Sequence, residues 1–436
     1  MSIGVLTLLI FGVVIVALIM GLPVGFALGG TAAAFTYFLY GTEAMSVIAT
    51  RCYGQMTGFV IVCVPLFIFM GTMLERSGIA ADLYKTMYRW SGGVRGGLAA
   101  GTVLICMVFA AMTGLSATAT VTMGSVALPE MFKRNYNKGM ALGCIGAGGA
   151  LGILIPPSVT MVVYALIAQE SVGRLFMGGI LPGIILGSLF IVFIFVRSAI
   201  QKDIAPALPP QDRATWQEKL TLPRGVILSV LIIVVVLGTI FAGIATPTEA
   251  AGAGAFATVI CAAIYHKLTW QIVKESCYQT LKISAMAMWI YLGSLCFTTL
   301  YYSIGAPDFI RGLLLQAPGG AWGAIISMQI IWFFMGMFLD PWGIIMITAP
   351  IFCPLVTDLG FSLVWFGIIC ILNMEMAYIT PPFGFNLFYL KGVAPPNITL
   401  GDIYRGVLPF ISCQIVALAL VMVFPQLALY LPSLMN

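Results

Sequence analysis

The sequence predicts an all-α polytopic membrane protein made of two repeats of inverted topology, each with a re-entrant helical hairpin and a broken transmembrane helix. Three observations lead to this prediction. The composition suits a chain surrounded by lipid, proline and glycine landmarks of the first half recur about 225 residues later, and two apolar segments in each half are interrupted by polar or glycine-rich residues.

The composition excludes a water-soluble fold. Of 436 residues, 61% are hydrophobic and 8% are charged, whereas a soluble domain has roughly 25% charged residues. Apolar runs such as 3–20 and 226–244 are close to the length of about 20 residues that a helix needs to cross the hydrocarbon core. A β-barrel would need alternating segments of about ten residues, and the sequence has none. The lipid bilayer is therefore the expected surroundings of a mostly helical chain.

The first repeat is predicted over residues 1–196. Apolar segments are expected at 3–20, 22–40, 56–75 and 175–196, with a hairpin at 98–130 and a broken helix at 139–169. The hairpin segment is too long for one crossing and has polar residues 113–118 at its centre. Non-helical backbone at that depth is tolerated only where it is buried in protein or lines a wet cavity.

The second repeat is predicted over residues 225–436, with a hairpin at 322–358 and a broken helix at 362–391. The landmarks that recur in the same order are Pro23 with Pro247, Gly78 with Gly305, Pro129 with Pro354, and Pro156-Pro157 with Pro381-Pro382. Residues 197–224 between the repeats are polar and contain Pro206, Pro209 and Pro210. They are predicted to be a cytoplasmic linker with a short surface helix around Trp216.

The distribution of basic residues predicts the orientation. Five crossings per repeat is an odd number, so the second repeat must be inverted relative to the first. With these spans, every Lys and Arg except Arg51, Arg174 and Arg311 lies on one side. Basic residues mark the cytoplasmic face, so both termini are expected in the periplasm.

The hairpin tips and broken helices are the predicted binding region. Secondary transporters bind ions through unwound backbone carbonyls and anions through helix N-termini, and a proline pair frees carbonyls one turn earlier. Carbonyl and hydroxyl oxygens suit sodium, and no transition metal is expected. The candidate sodium- or substrate-binding residues are Thr113, Gly114, Ser116, Thr118, Gly152, Ile155, Pro156, Pro157, Ser158, Asp340, Gly343, Glu375, Thr380, Pro381, Pro382 and Asn386.

Three carboxylates have open roles. A carboxylate inside the bilayer costs about 2.5–3.5 kcal/mol unless it meets a partner, so Asp340 either coordinates an ion or accepts hydrogen bonds from backbone amides of its tip. Glu375 is interpreted as an ion ligand, a proton site or a hydrogen-bonded contact between helices. Glu249, after Thr246-Pro247-Thr248, is expected to cap its helix.

Other function classes find little support. The sequence has no GxxxxGK[ST] loop for ATP, no HExxH or GxSxG motif, no CxxC pair and a single histidine, His266. The basic residues form no nucleic-acid patch, and the cysteines in apolar runs are interpreted as small buried hydrophobes. We expect a protein that is not an enzyme and has no cofactor beyond coupling ions, and a passive channel gives no reason for paired hairpins.

Four motifs together carry a resemblance to a known family. They are Thr246-Pro247-Thr248-Glu249-Ala250-Ala251, Ala127-Leu128-Pro129-Glu130-Met131, Ile155-Pro156-Pro157-Ser158 and Thr380-Pro381-Pro382-Phe383-Gly384-Phe385. The chain resembles, over essentially its whole length, the large DctM-type membrane subunit of tripartite ATP-independent periplasmic (TRAP) transporters. It has Thr113-Gly114-Leu115 where many members carry Ser-Gly-Ser, so backbone ligands are expected at that tip in preference to side-chain ligands.

The resemblance implies an elevator mechanism coupled to sodium in the bacterial inner membrane. It also implies two partners that this chain does not encode, a small four-helix membrane subunit and a soluble periplasmic substrate-binding protein. The substrates it implies are small organic anions, mostly carboxylates or sulfonates. The segment Pro381-Pro382-Phe383-Gly384-Phe385 with Leu390-Lys391-Gly392-Val393-Ala394-Pro395 is similar to members that handle oxo acids and related monocarboxylates. The alternative is a self-sufficient sodium- or proton-coupled organic anion carrier of the same superfamily without a binding protein.

Overall fold

The structure is a computed structural model that describes residues 2–77, 90, 93–207, 224–382 and 384–435. Within these ranges the chain is helical, with turns and short loops and no β-strand. The helices of the first half are α1 (Ile3–Ile19), α2 (Val24–Tyr40), α3 (Met45–Met56), α4 (Cys63–Arg76), α5 (Gly97–Thr113), α6 (Ser116–Lys133), α7 (Lys138–Ala150), α8 (Val159–Ala168) and α9 (Val172–Ile200).

The second half follows a similar order. Its helices are α10 (Arg224–Phe241), α11 (Pro247–Ile264), α12 (Trp270–Ser303), α13 (Ala306–Leu315), α14 (Gly320–Gly336), α15 (Pro341–Asp358), α16 (Leu363–Tyr378), α17 (Phe385–Val393), α18 (Leu400–Val423) and α19 (Gln426–Leu429). Short 3₁₀ turns cover Phe59–Val62, Leu151–Ile153 and Pro432–Leu434.

Length and composition make this an all-helical membrane protein. Six stretches of the described chain are helical, long and apolar enough to cross a bilayer, and α13 with α14 makes a seventh if that pair, bent by 113°, counts as one span. Large apolar side chains face outward, with Phe38 82% exposed and Ile19 80% exposed. An aqueous surface would not tolerate so many of them, whereas lipid tails are as apolar as these side chains.

Local sequence explains where several helices begin. Ser158 and Ser171 cap α8 and α9, because their hydroxyls accept hydrogen bonds from backbone amides of the first turn. Thr246 and Glu249 form a reciprocal capping box at α11. The capping role predicted for Glu249 is therefore confirmed.

Several helices pack closely against one another. Helix α2 packs along α12, and α7 packs along α18. Glycines permit the approach, since a Cβ atom on Gly25 would lie 2.5 Å from the Trp289 carbonyl oxygen. Helices α6 and α17, and helices α8 and α15, also pack together across the two halves.

The structure differs from the sequence prediction in detail. The third apolar segment, expected at 56–75, begins with a 3₁₀ turn before α4 and follows the separate helix α3. Helix α3 was not predicted because its polar residues Arg51 and Gln55 weaken the apolar signal there. The last span of the first half extends over α9, longer than the predicted 175–196. The helix expected around Trp216 lies outside the described residues.

Candidate functional site

Four segments at the ends of helices form the candidate site. Tip 1 (residues 113–116) joins α5 to α6, and tip 2 (residues 339–343) joins α14 to α15. Break 1 (residues 154–158) precedes α8, and break 2 (residues 379–384) separates α16 from α17. Both proline pairs, Pro156-Pro157 and Pro381-Pro382, have cis peptide bonds. Phe383 of break 2 lies outside the described residues.

Tip 1 packs backbone to backbone against break 1. Gly114 ends α5 in the left-handed conformation with φ 62°, and a Cβ atom there would lie 2.5 Å from the Pro157 carbonyl oxygen. A Cβ atom on Gly152 would lie 2.8 Å from the backbone of Leu115 and Ser116. The Thr113 hydroxyl donates to the Phe109 carbonyl at 3.0 Å. The tip is thus held by contacts that only glycines allow.

Asn386 links tip 1 to the second half of the chain. This residue of α17 is fully buried, and its side-chain oxygen accepts hydrogen bonds from Ser116 at 3.0 Å and Thr120 at 2.7 Å. Its side-chain nitrogen donates to the Gly146 carbonyl at 2.7 Å. Asn386 was predicted as a site residue, but Thr120 and Gly146 were missed. Thr120 lies one turn after Ser116 on the same face of α6, which is the signal that could have indicated it.

Break 1 offers unpaired carbonyls. The Ser158 hydroxyl donates to the Ile153 carbonyl at 2.6 Å and also caps α8. Within the part of the chain that the structure describes, no hydrogen bond reaches the carbonyl oxygens of Ile155, Pro156 and Pro157. Buried carbonyls in this condition are suited to a hard cation such as sodium.

Tip 2 carries its own charge. Asp340 precedes α15, and its carboxylate accepts hydrogen bonds from the amides of Trp342 and Gly343, both at 3.2 Å. The Trp342 indole nitrogen donates to the Thr160 hydroxyl of α8 at 3.1 Å. The hydrogen bonds from backbone amides that were predicted for Asp340 are present. The contact with Thr160 was not indicated by the sequence.

Break 2 is more fully hydrogen-bonded than break 1. The Thr380 hydroxyl donates to the Met376 carbonyl at 2.7 Å, and the Thr380 carbonyl accepts from the Gly384 amide at 3.1 Å. The Pro382 carbonyl accepts from the Tyr404 hydroxyl at 2.6 Å. Break 2 therefore has fewer free acceptors for a cation.

Two predicted residues are not joined to these contacts. Thr118 is half-buried on α6, beside Glu75 of α4. Glu375 is fully buried in α16, and the polar group next to it is Gln414 of α18. The other predicted residues lie in the tips and breaks or contact them.

Each tip is hydrogen-bonded to the helix that follows the break of the other half, so the contacts between tips and breaks are crossed. Tip 1, from the first half, is bonded to the helix after break 2, and tip 2, from the second half, is bonded to the helix after break 1. Helices α6, α8, α15 and α17 all begin at these segments. Helix N-termini favour anions, and free carbonyls and hydroxyls favour cations, so the arrangement can bind both.

Known proteins resemble this chain along its length. The family model described as "Tripartite ATP-independent periplasmic transporter, DctM component" matches residues 11–427. The C4-dicarboxylate TRAP transporter large permease protein DctM of Pseudomonas aeruginosa is 32% identical over 405 residues, which cover 93% of each chain. The isethionate TRAP transporter permease protein DctMQ of Oleidesulfovibrio alaskensis is 30% identical, over 97% of this chain and 65% of that protein.

A solved structure supports the fold. The YdaH transporter of Alcanivorax borkumensis superposes with a TM-score of 0.65 at 12% sequence identity, over 93% of this chain and 98% of its own. At this identity the likeness concerns the fold alone.

Proposed function

The chain belongs to the DctM family of tripartite ATP-independent periplasmic transporters, and we propose on that basis that it is the transport subunit of a sodium-coupled importer of small organic anions. The observation that carries the proposal is the crossed contact of tips and breaks, Ser116 with Asn386 and Trp342 with Thr160. This contact supports the proposal because helix N-termini, which favour anions, begin at the same segments that carry free carbonyl and hydroxyl oxygens, which favour cations.

Sodium binds, in this proposal, mainly at tip 1 and break 1. Free carbonyls there are accompanied by hydroxyl groups that are 3% exposed or less. Asp340 adds a negative charge at tip 2, and the helix N-termini receive the anionic group of the substrate. The proposed ligands and backbone donors are Thr113, Gly114, Ser116, Gly152, Ile155, Pro156, Pro157, Ser158, Asp340, Gly343, Thr380 and Pro381, whereas Thr118 is set apart because it lies beside Glu75.

Asn386 and Pro382 have positioning roles. The oxygen of the Asn386 side chain already accepts two hydrogen bonds, and the Pro382 carbonyl accepts one from Tyr404. Both residues therefore hold the segments in place and leave binding to their neighbours. Glu375 is set apart from the sodium ligands because the polar group beside it is Gln414.

The proposed architecture is two inverted repeats, residues 1–196 and 225–436, joined by a cytoplasmic linker at 197–224, with both termini in the periplasm. The matching order of α5–α8 and α14–α17 supports this. Helices α5–α8 and α14–α17 form the moving part of an elevator, and α1, α2, α4, α11 and α12 belong to the scaffold. The packing of α2 on α12 and of α4 on α11 supports a separate scaffold.

The proposed partners are a small four-helix membrane subunit and a soluble periplasmic binding protein. The name DctMQ of the longer relative, of which this chain covers 65%, supports a small membrane subunit as a partner. The substrate class comes from the relatives for C4-dicarboxylates and isethionate, which are a carboxylate and a sulfonate.

Uptake of labelled organic acids into proteoliposomes tests the proposal. The vesicles contain this chain and its small partner, with or without the binding protein and an inward sodium gradient. We expect uptake only when both are present. Uptake that needs neither contradicts the partner and coupling assignments and favours a self-sufficient carrier, and uptake driven by a proton gradient alone contradicts sodium coupling.

A further inference from the structure

A pair of polar side chains lies in the apolar interior away from the tips and breaks. Glu375 of α16 is 0% exposed and Gln414 of α18 is 1% exposed. The two helices pack together, and Gln414 is the side chain whose hydrogen-bonding groups are near the Glu375 carboxyl. The residues before and after Glu375 in its helix are also buried.

The pair has unmet hydrogen-bonding capacity. Both carboxyl oxygens of Glu375 and both polar side-chain atoms of Gln414 have no hydrogen-bond partner among the described residues. Buried polar atoms are nearly always hydrogen-bonded, since leaving one unpaired costs the full loss of its hydration. Four such atoms on two adjacent side chains need a common explanation.

An ionised Glu375 would leave these four buried polar atoms unsatisfied. A buried carboxylate needs a cation or several donors, and neither ion pair formed by the described side chains involves Glu375. The charged residues of the helices packed on α16 lie in the first two turns or the last turn of those helices. They are Lys138, Arg174, Arg197, Asp358, Lys391, Asp402 and Arg405.

The other titratable groups on these helices are neutral acids. They are the phenols and thiols of Cys144, Tyr164, Cys353, Cys370, Tyr378, Tyr389, Tyr404 and Cys413. None of them carries a positive charge in either protonation state. They cannot neutralise a carboxylate at position 375.

A proton satisfies all four atoms at once. A neutral carboxyl group has one O–H donor and one carbonyl acceptor, and a glutamine amide has one N–H₂ donor group and one carbonyl acceptor. The two groups can therefore form a closed pair of hydrogen bonds. If the carboxyl group were ionised, its two acceptor oxygens would meet one amide donor and would repel the amide oxygen.

We propose that Glu375 and Gln414 form a buried proton-binding site that joins α16 to α18. The Glu375 carboxyl keeps the proton, donates it in a hydrogen bond to the Gln414 amide oxygen and accepts a hydrogen bond from the Gln414 amide nitrogen. Helix α16 ends at break 2, so the protonated pair fixes the position from which break 2 begins. This site does not depend on the ion or substrate assigned above.

Infrared spectroscopy of the purified full-length chain tests the proton directly. A protonated carboxyl group has a C=O stretching band that shifts in D₂O and is separate from the carboxylate bands. We expect Glu375→Gln to lose one protonated-carboxyl band at neutral pH. The matched control is Glu249→Gln at the exposed capping box, which should lose carboxylate bands instead. Loss of carboxylate bands in Glu375→Gln overturns the proposal.

A second variant tests the pairing with Gln414. Gln414→Leu removes both amide partners and leaves the carboxyl group in place. We expect the protonated-carboxyl band of Glu375 to remain and to move to higher frequency, because its carbonyl loses a hydrogen bond. An unchanged band overturns the pairing, and replacement of the band by carboxylate bands overturns the proton site. The Gln414→Leu variant tests the protonation of Glu375 even if Glu375→Gln fails to fold.

Discussion

The two hairpin tips of this DctM-family protein are held in different ways. Tip 1 has no charged residue and is fixed by close backbone packing of Gly114 on Pro157 and by Asn386 from the other half of the chain. Tip 2 is fixed first by its own sequence, since Asp340 accepts hydrogen bonds from the two amides that follow it. One bond, from Trp342 to Thr160, joins tip 2 to the first half.

The two tips therefore offer an ion different features, since tip 1 offers fixed neutral oxygens and tip 2 offers a negative charge. Tip 1 and break 1 provide rigid neutral oxygens whose positions depend on tertiary contacts. Tip 2 provides a carboxylate whose position depends on local capping and which is partly accessible. Substitutions at tip 1 should therefore reduce stability and also weaken the response to sodium, whereas substitutions at tip 2 should alter the response to sodium with less loss of stability.

The largest expected effect is that of Gly114→Ala. The left-handed backbone disfavours alanine by about 1–2 kcal/mol, and the new Cβ atom also meets the Pro157 carbonyl oxygen at 2.5 Å, which adds about 1–3 kcal/mol of overpacking. The thermal unfolding temperature in detergent measures the sum. The control is Gly360→Ala, where φ is 79° and no atom lies within 4 Å of the new Cβ. Equal losses in both variants contradict close packing of tip 1 on break 1.

Asn386→Ala should have the next largest effect. It removes the acceptor of the Ser116 and Thr120 hydroxyls and one donor to the Gly146 carbonyl. Because both hydroxyls can rotate toward another acceptor and Gly146 lies inside α7, we expect a total cost of about 1–3 kcal/mol, the range for one unpaired buried group. We expect a lower unfolding temperature and a higher sodium concentration for half-maximal uptake.

The control for Asn386 is Asn373→Ala. Asn373 is equally buried and donates to Gln329 within the second half. It should lose stability with little change in sodium dependence. If both variants change sodium dependence alike, Asn386 does not act through tip 1.

The sequence could predict the parts of this fold that depend on local chemistry. Hairpins expected at 98–130 and 322–358 are observed as helix pairs spanning 97–133 and 320–358, because glycine, polar residues and proline interrupt apolar runs wherever they occur. The roles of Glu249 and Asp340 as caps also follow from residues three positions or fewer away.

Contacts between the halves could not be predicted in this way. Asn386 was identified by its place after break 2, but its partners Thr120 and Gly146 depend on how α17 packs against α6 and α7. The Trp342 bond to Thr160 likewise joins residues 182 positions apart. Helix α3 was missed because its only fully buried residue is Ile48, so it shows almost no core signal.

Asp340→Asn tests the charge at tip 2. Asparagine keeps a side-chain oxygen for the amides of Trp342 and Gly343, so stability should change less than in Asp340→Ala, which removes a cap worth about 1 kcal/mol. The lost charge should raise the sodium concentration for half-maximal uptake several-fold. If Asp340→Asn keeps the wild-type sodium dependence while Asp340→Ala is destabilised, Asp340 is a cap alone and tip 2 supplies no charge to the ion.

The smallest expected effect concerns the bond that joins tip 2 to the first half. A double-mutant cycle with Trp342→Phe and Thr160→Val should give a coupling of about 0.5–1 kcal/mol in unfolding free energy, the lower part of the range for a neutral hydrogen bond. The matched cycle is Trp332→Phe with Thr348→Val, since that indole also donates to a threonine hydroxyl, at 2.6 Å, but within the second half. Both cycles should show coupling in stability, and the Trp342 cycle should also show coupling in uptake rate because it connects the two halves at the site. Coupling in uptake for the Trp332 cycle alone would mean that tip 2 does not act through α8, and the crossed arrangement would then describe packing without describing transport.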